Sequence, residues 1–232
     1  MDLSQFTPGS ALVTVILIAL APFFAVMVTS FTKIAVVLSL VRNALGLQQV
    51  PPNVVINGLA LILTVYVMYP TLNQMYEAST GTNMAGPTIE GDSVTTVSPL
   101  ENSGDIFATA DRAKEPLRKF LIKHSDPGER GFFLRTQKRI MQAEGREDPI
   151  SENDFVVLIP AFVVKELKLA FQIGFLIFLP FLIIDLVISN ILLAMGMMML
   201  SPVTISLPFK ILLFVLVDGW VKLSHNLVLS YV

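Results

Sequence analysis

Eight ionisable side chains stand singly or in short groups within otherwise apolar stretches: Lys33, Lys165, Glu166, Lys168, Asp185, Lys210, Asp218 and Lys222. Arg42 adds a cation at the edge of another. An unpaired charge at the centre of a bilayer costs about 2.5–3.5 kcal/mol on insertion scales, so such groups pair with one another or face water or protein. Three chemistries fit them. The first is ion pairing, within the chain or between subunits. Asp218 and Lys222 are spaced i,i+4 and can pair on one helix face, whereas the others need partners from another segment or another subunit. The second is an ion or proton relay, with Asp185 as the coupling acid of a small stand-alone transporter or ion channel. Neither histidine supports it: His124 lies in a polar segment and His225 near the C-terminal end, and neither neighbours an intramembrane acid. The third is acid catalysis by Asp185 and Asp218 in an intramembrane hydrolase, but the Gly-x-Gly-Asp context of such sites is missing. No glycine-rich phosphate loop, His-Glu-x-x-His or Gly-x-Ser-x-Gly is present either. With no cysteine, disulfides, thiolate zinc sites and a cysteine nucleophile are excluded. The chain reads as a non-enzyme with no cofactor or metal site, and assembly salt bridges are the best use of its charges.

A second feature is Met195-Gly196-Met197-Met198-Met199-Leu200-Ser201-Pro202. Methionine is unbranched and polarizable, and it adapts to irregular surfaces. Several copies converging on one axis would form a deformable apolar seal, and apolar constrictions close to ions by dewetting. By spacing alone the ordinary reading, a gap-filling side chain in a core or against lipid, is the stronger one.

The elements around these residues are set by composition. Of 232 residues, 53% are hydrophobic and 15% charged, with a mean hydropathy of +0.69. Soluble domains carry about 25% charged residues, so the apolar excess must face lipid, other subunits or both. The net charge of −2 leaves no overall basic character for nucleic acid. The fold class is therefore all-α and membrane-like, with helical hairpins broken by Pro and Gly. Residues 11–41 form one kinked span or a bent pair around Pro22, retained rather than cleaved as a leader. A second apolar run, 54–69, opens after Pro51-Pro52-Asn53 and is expected to stop at Pro70. Four segments result: an apolar hairpin region over 1–76, a flexible polar loop over 77–110, an amphipathic region over 111–154, and a second apolar hairpin region over 155–232. Within the third, 111–123 and 132–143 read as short amphipathic helices separated by an Asp126-Pro127-Gly128 turn, with Ser151 as an N-cap candidate for the next helix. Prolines 160, 180, 202 and 208 are expected to break the last segment. Broken helices leave backbone groups unsatisfied in lipid, which favours burial within an oligomer. The charge bias puts the elbow at Arg42 in the cytoplasm and the segment 71–154 outside.

The run Thr29-Ser30-Phe31-Thr32-Lys33-Ile34, then Arg42-Asn43-Ala44-Leu45-Gly46-Leu47-Gln48-Gln49-Val50-Pro51-Pro52-Asn53, closely resembles the FliP/SctR family of bacterial type III secretion. The likeness continues through Gly58-Leu59-Ala60-Leu61 and Tyr69-Pro70. It returns at Glu166-Leu167-Lys168, at the methionine motif, at Leu207-Pro208-Phe209-Lys210 and at Val217-Asp218-Gly219-Trp220. It covers most of the chain outside 79–110, and the elbow is closer to the injectisome branch than to the flagellar one. The resemblance implies a pentamer-like homo-oligomeric ring, joined by Q/S-type and R/T-type subunits into a helical, tapered export gate. It implies contacts with further export-apparatus and rod or needle proteins, unfolded secretion substrates as cargo, and an inner-membrane protein whose complex projects into the periplasm. It also implies that Met197, Met198 and Met199 form a gasket, and that the isolated charges, Arg42 among them, serve inter-subunit contacts.

Overall fold

The computed structural model describes residues 8–47, 49–80, 103–145 and 149–232. Among these it holds eight α-helices and no strand: α1 (Pro8–Met27), α2 (Phe31–Ala44), α3 (Asn53–Thr80), α4 (Ser103–His124), α5 (Pro127–Ala143), α6 (Phe155–Ala194), α7 (Pro202–Leu216) and α8 (Gly219–Leu229). They gather into two compact units, one of Met1–Val65 with Val163–Val232 and one of Tyr66–Phe162.

The first unit is centred on α2. Its Ile34, Val37, Leu38, Val41 and Ala44 recur at helical spacing and are fully or almost fully buried, which makes one continuous apolar stripe. Ile56 and Ala60 of α3, Ala170 and Phe181 of α6, Phe214 of α7, and Leu223 and Leu227 of α8 join the same core. Gly174 lets α6 approach α2 closely, since a Cβ there would lie 2.3 Å from Leu40 Cδ1 and 3.2 Å from its Cβ. Phe214 is gripped edge-on by Trp220, with ring centroids 5.3 Å apart. Gly219 leaves room for that ring, which a Cβ would meet at 2.3 Å. Asp218 takes the left-handed conformation (φ 51°, ψ 47°), where α7 turns into α8 with a bend of 59°.

The second unit is built on Phe120 and Leu121 of α4 and Val157, Leu158, Ala161 and Phe162 of α6, all buried. The rings of Phe120 and Phe162 lie 5.7 Å apart. Asp126, Pro127 and Gly128 form the start of α5 itself: Asp126 is the N-cap, its carboxylate accepts from the Gly128 N–H at 2.7 Å, and Pro127 occupies the first turn, where no donor is lost. Ser151 does not cap α6. It sits a turn earlier, where its N–H donates to the Asp154 carboxylate at 2.8 Å, and the helix opens after Asp154.

Proline punctuates this chain less than expected. α3 runs through Pro70 to Thr80, and α6 runs unbroken through Pro160 and Pro180 for 40 residues. Each proline deletes one ladder hydrogen bond, and apolar packing on neighbouring turns keeps the helix going. Pro202 opens α7 and Pro208 lies within it. Helix also covers both flanks of the polar segment: α3 includes 77–80 and α4 begins at Ser103, while 81–102 lie outside the described residues. Residues 11–41 form two helices, α1 and α2, but the break is not at Pro22, which lies inside α1; it falls at 28–30.

α3 and α6 are each long and apolar enough to cross a membrane, and α7 with α8 makes a third span if the bent pair counts as one. At about 1.5 Å per residue, α6 is about 60 Å long, twice the hydrocarbon thickness of a bilayer. Part of it therefore lies outside the hydrocarbon.

Candidate functional site

Four of the eight isolated charges resolve into two clusters inside the first unit. In one, Lys33 of α2 and Glu166 of α6 form an ion pair at 3.5 Å with both side chains almost completely buried. The chain passes α8 and returns Tyr231 to the same point, where its hydroxyl donates to Glu166 Oε2. The Lys33 ammonium lies 3.5 Å from the centre of the Tyr231 ring, so the cation faces both a carboxylate and a π surface. Three segments distant in sequence are thereby tied at one buried point.

In the other, Lys210 of α7 donates to Asp185 Oδ2 of α6 at 2.6 Å, and the Ser206 hydroxyl donates to Oδ1 at 2.5 Å. Both carboxylate oxygens are thus occupied. Lys210 also reaches the Ala44 carbonyl at 3.5 Å. That carbonyl belongs to the last turn of α2, which has no partner within the helix and carries the negative end of its dipole. The pair therefore joins the end of α2 to the bodies of α6 and α7.

Arg42 closes the elbow. Its guanidinium donates to Asn53 Oδ1 at 2.5 Å and to the Pro51 carbonyl at 3.4 Å. The last turn of α2 is stopped by Gly46 (φ +79°), with Gly46 N–H on the Asn43 carbonyl and Leu47 N–H on the Arg42 carbonyl. This is the Schellman arrangement, and it turns the chain toward α3.

Lys33, Arg42, Glu166, Asp185 and Lys210, read from the sequence as candidates for contacts between subunits, thus find partners inside one chain. Asp218 and Lys222 do not pair with each other as their spacing allows, because Asp218 precedes the first turn of α8 in a left-handed conformation. Both are exposed, as is Lys168, and Lys165 is half-buried. None of these four makes an ion pair among the described residues. Tyr231 and Ser206 escaped sequence reading. A buried tyrosine needs a partner for its hydroxyl, but nothing local marks Tyr231 as buried.

The methionines occupy the turn between α6 and α7. Gly196 (φ +73°) ends α6 in a second Schellman arrangement, with Gly196 N–H on the Leu193 carbonyl and Met197 N–H on the Leu192 carbonyl, both at 3.0 Å. The next three side chains project away from their own chain: Met197 is 41% exposed, Met198 81% and Met199 101%. An apolar groove lined by Ile184, Ile188, Leu192, Ile205 and Phe209 runs between α6 and α7. The turn is therefore closed on the α6 side by Gly196, and the two helices it joins are tied further along by the Asp185–Ser206–Lys210 bonds, while Met198 and Met199 are left largely uncovered.

The FliP family profile matches residues 13–227. Over 217 residues the chain is 48% identical to the Yop proteins translocation protein R of Yersinia pestis, covering 93% of this chain and 92% of that one. It is 44% identical over 224 residues to the hypersensitivity response secretion protein HrcR of Ralstonia nicotianae, with 96% and 97% covered. To the virulence protein YscR of Salmonella typhimurium it is 45% identical over 218 residues, with 93% of each covered. With span-length apolar helices and agreement over nearly the whole chain with secretion proteins, the chain belongs to the FliP family of type III secretion export-apparatus proteins, in its SctR injectisome branch.

Proposed function

We propose that this chain is a core subunit of the type III export gate in the bacterial inner membrane. Copies of it assemble in a pentamer-like ring with Q/S-type and R/T-type subunits, and the complex projects into the periplasm. It receives unfolded secretion substrates and meets rod or needle proteins. Its part is steric and electrostatic, with no bond made or broken. The observation that carries this reading is the exposure of Met197, Met198 and Met199 on a turn closed by Gly196 between two helices tied by the Asp185–Lys210 pair. Among the described residues Met198 and Met199 are left largely uncovered by their own chain, and Met197 is partly so. Brought to a common axis they make a soft apolar plug, able to exclude water and to deform around a passing chain. Lys168, Asp218 and Lys222, without an ion pair among the described residues, remain for contacts between subunits. Energy would come from an ATPase or an ion gradient elsewhere in the apparatus.

Replacing Met197, Met198 and Met199 together with Ala is expected to widen the plug. In planar bilayers holding the assembled complex, ion conductance should rise at least several-fold over the parent. Unchanged conductance in a fully assembled complex would remove the gasket role.

A further inference from the structure

The second unit divides its charge by segment. Nine of the chain's 16 Lys and Arg side chains fall between Arg112 and Ala143, against three acids in the same stretch. Residues 71–110, just before it, carry five acids and no Lys or Arg. Both stretches belong to the unit Tyr66–Phe162. The cations include an open face on α5, a helix that buries none of its side chains. Arg135, Lys138 and Arg139 are spaced i, i+3 and i+4, so they share one side of the helix, and all three are exposed. Phe132, one turn earlier on that side, is exposed with them. The one acid within α5 is Glu129, in its first turn. None of the three cations makes an ion pair among the described residues.

We propose that the Arg135–Lys138–Arg139 face of α5 is the docking surface for the acidic segment 81–102 of the same chain, which lies outside the described residues. Three of the five acids stand in that segment, Glu90, Asp92 and Glu101, with no cation among them. Ile89, next to Glu90, supplies an apolar side chain for Phe132. The segment is tethered at both ends within the unit that holds α5: it follows Thr80, the end of α3, and precedes Ser103, the start of α4. At about 3.5 Å per residue Glu90 can reach about 35 Å from Thr80, further than the length of α5, about 25 Å. Exposed ion pairs are individually weak. The tether raises the local concentration of the acids to the order of millimolar, which favours this segment over a free acidic partner. The described acids beyond the end of α5, Glu144, Glu152 and Asp154, make no ion pair with it.

The chain has no cysteine, so Ser93→Cys and Gln142→Cys place two spin labels, and no others, beside the contact. The distance between them is read by pulsed electron resonance in the full chain, purified in a non-ionic detergent, with and without a large excess of unlabelled chain. The parent should give one narrow, short-distance population that the excess leaves unchanged. Its width should at least double in about 0.5 M salt, which screens exposed charges beyond a few ångströms. It should also at least double in the variant Arg135→Glu, Lys138→Glu, Arg139→Glu. Adding Glu90→Lys, Asp92→Lys and Glu101→Lys to that variant should restore the narrow population, which a misfolded α5 could not do. A broad distribution in the parent would overturn the proposal, as would a narrow one that survives the charge reversal on α5 alone. Compensating lysines that fail to restore it would assign the face to another acidic partner and also overturn it. So would a narrow population lost on adding unlabelled chain, which would assign the contact to a neighbouring copy. None of these outcomes touches the methionine plug, which is read by conductance.

Discussion

A buried ion pair is costly to form and more costly to leave half-made. Removing one partner of such a pair typically costs about 3–5 kcal/mol, because the survivor stays buried and uncompensated. Glu166→Gln strands the Lys33 ammonium between helices and is expected to lower stability by that order, seen as a lower melting temperature in detergent. Tyr231→Phe removes only the hydroxyl that donates to Glu166 and should cost about 1–3 kcal/mol. The combined change Lys33→Met, Glu166→Leu and Tyr231→Phe should cost far less than Glu166→Gln alone, because no charge is left behind. If the triple variant melts lower than the single one, the cluster is held by its charges in a way that apolar packing cannot replace.

At the scale of elements, two glycines set how closely helices meet. Gly174 brings α6 onto Leu40 of α2, and Gly219 brings the start of α8 onto the Phe214 ring. Alanine at either position is expected to cost about 1–3 kcal/mol as the neighbours shift. The larger loss should come at Gly219, where the obstacle is a ring rather than the end of a leucine. Gly58, in α3 with nothing within 4 Å of its missing Cβ, provides the contrast. There alanine should be neutral or stabilising by about 0.5–1 kcal/mol, from helix propensity alone. The ordering of the three melting temperatures checks the packing independently of function.

For the whole molecule, the decisive feature is apolar surface that the chain leaves uncovered. Phe171, Phe175, Leu176 and Ile183 along α6, with Leu212 and Leu216 of α7, are all exposed. Lipid can cover such surface, and so can sister protomers; the proposed gate requires that part of it be covered by protein. Native mass of the detergent-purified protein, co-expressed with its export-apparatus partners, should report a hetero-oligomer carrying several copies of this chain. A homo-oligomer that transports ions alone and loses that activity on Asp185→Asn would favour a stand-alone transporter instead.

The linear order of residues was enough for class and kinship. A charge content far below that of soluble domains, long runs free of Lys, Arg, Asp and Glu, and the motifs around Lys33, Glu166, the methionines and Lys210 marked an all-α membrane protein of the FliP family. It was also enough to single out the charges, since a lone ion in an apolar run must find a partner. Which partner it finds is a long-range fact. Lys33 meets Glu166 and Tyr231 across more than a hundred positions, and Lys210 meets Asp185 and the end of α2. No local pattern encodes such pairs, and the i,i+4 rule misplaced Asp218 because a left-handed residue takes it off the helix. Helix ends were misjudged for the same reason. Pro70, Pro160 and Pro180 look like stops when only local propensity is weighed, yet packing along α3 and α6 outweighs one missing hydrogen bond. The methionines were visible from the start, but the exposure of Met198 and Met199 is a property of the fold, because it depends on where segments distant in sequence pack.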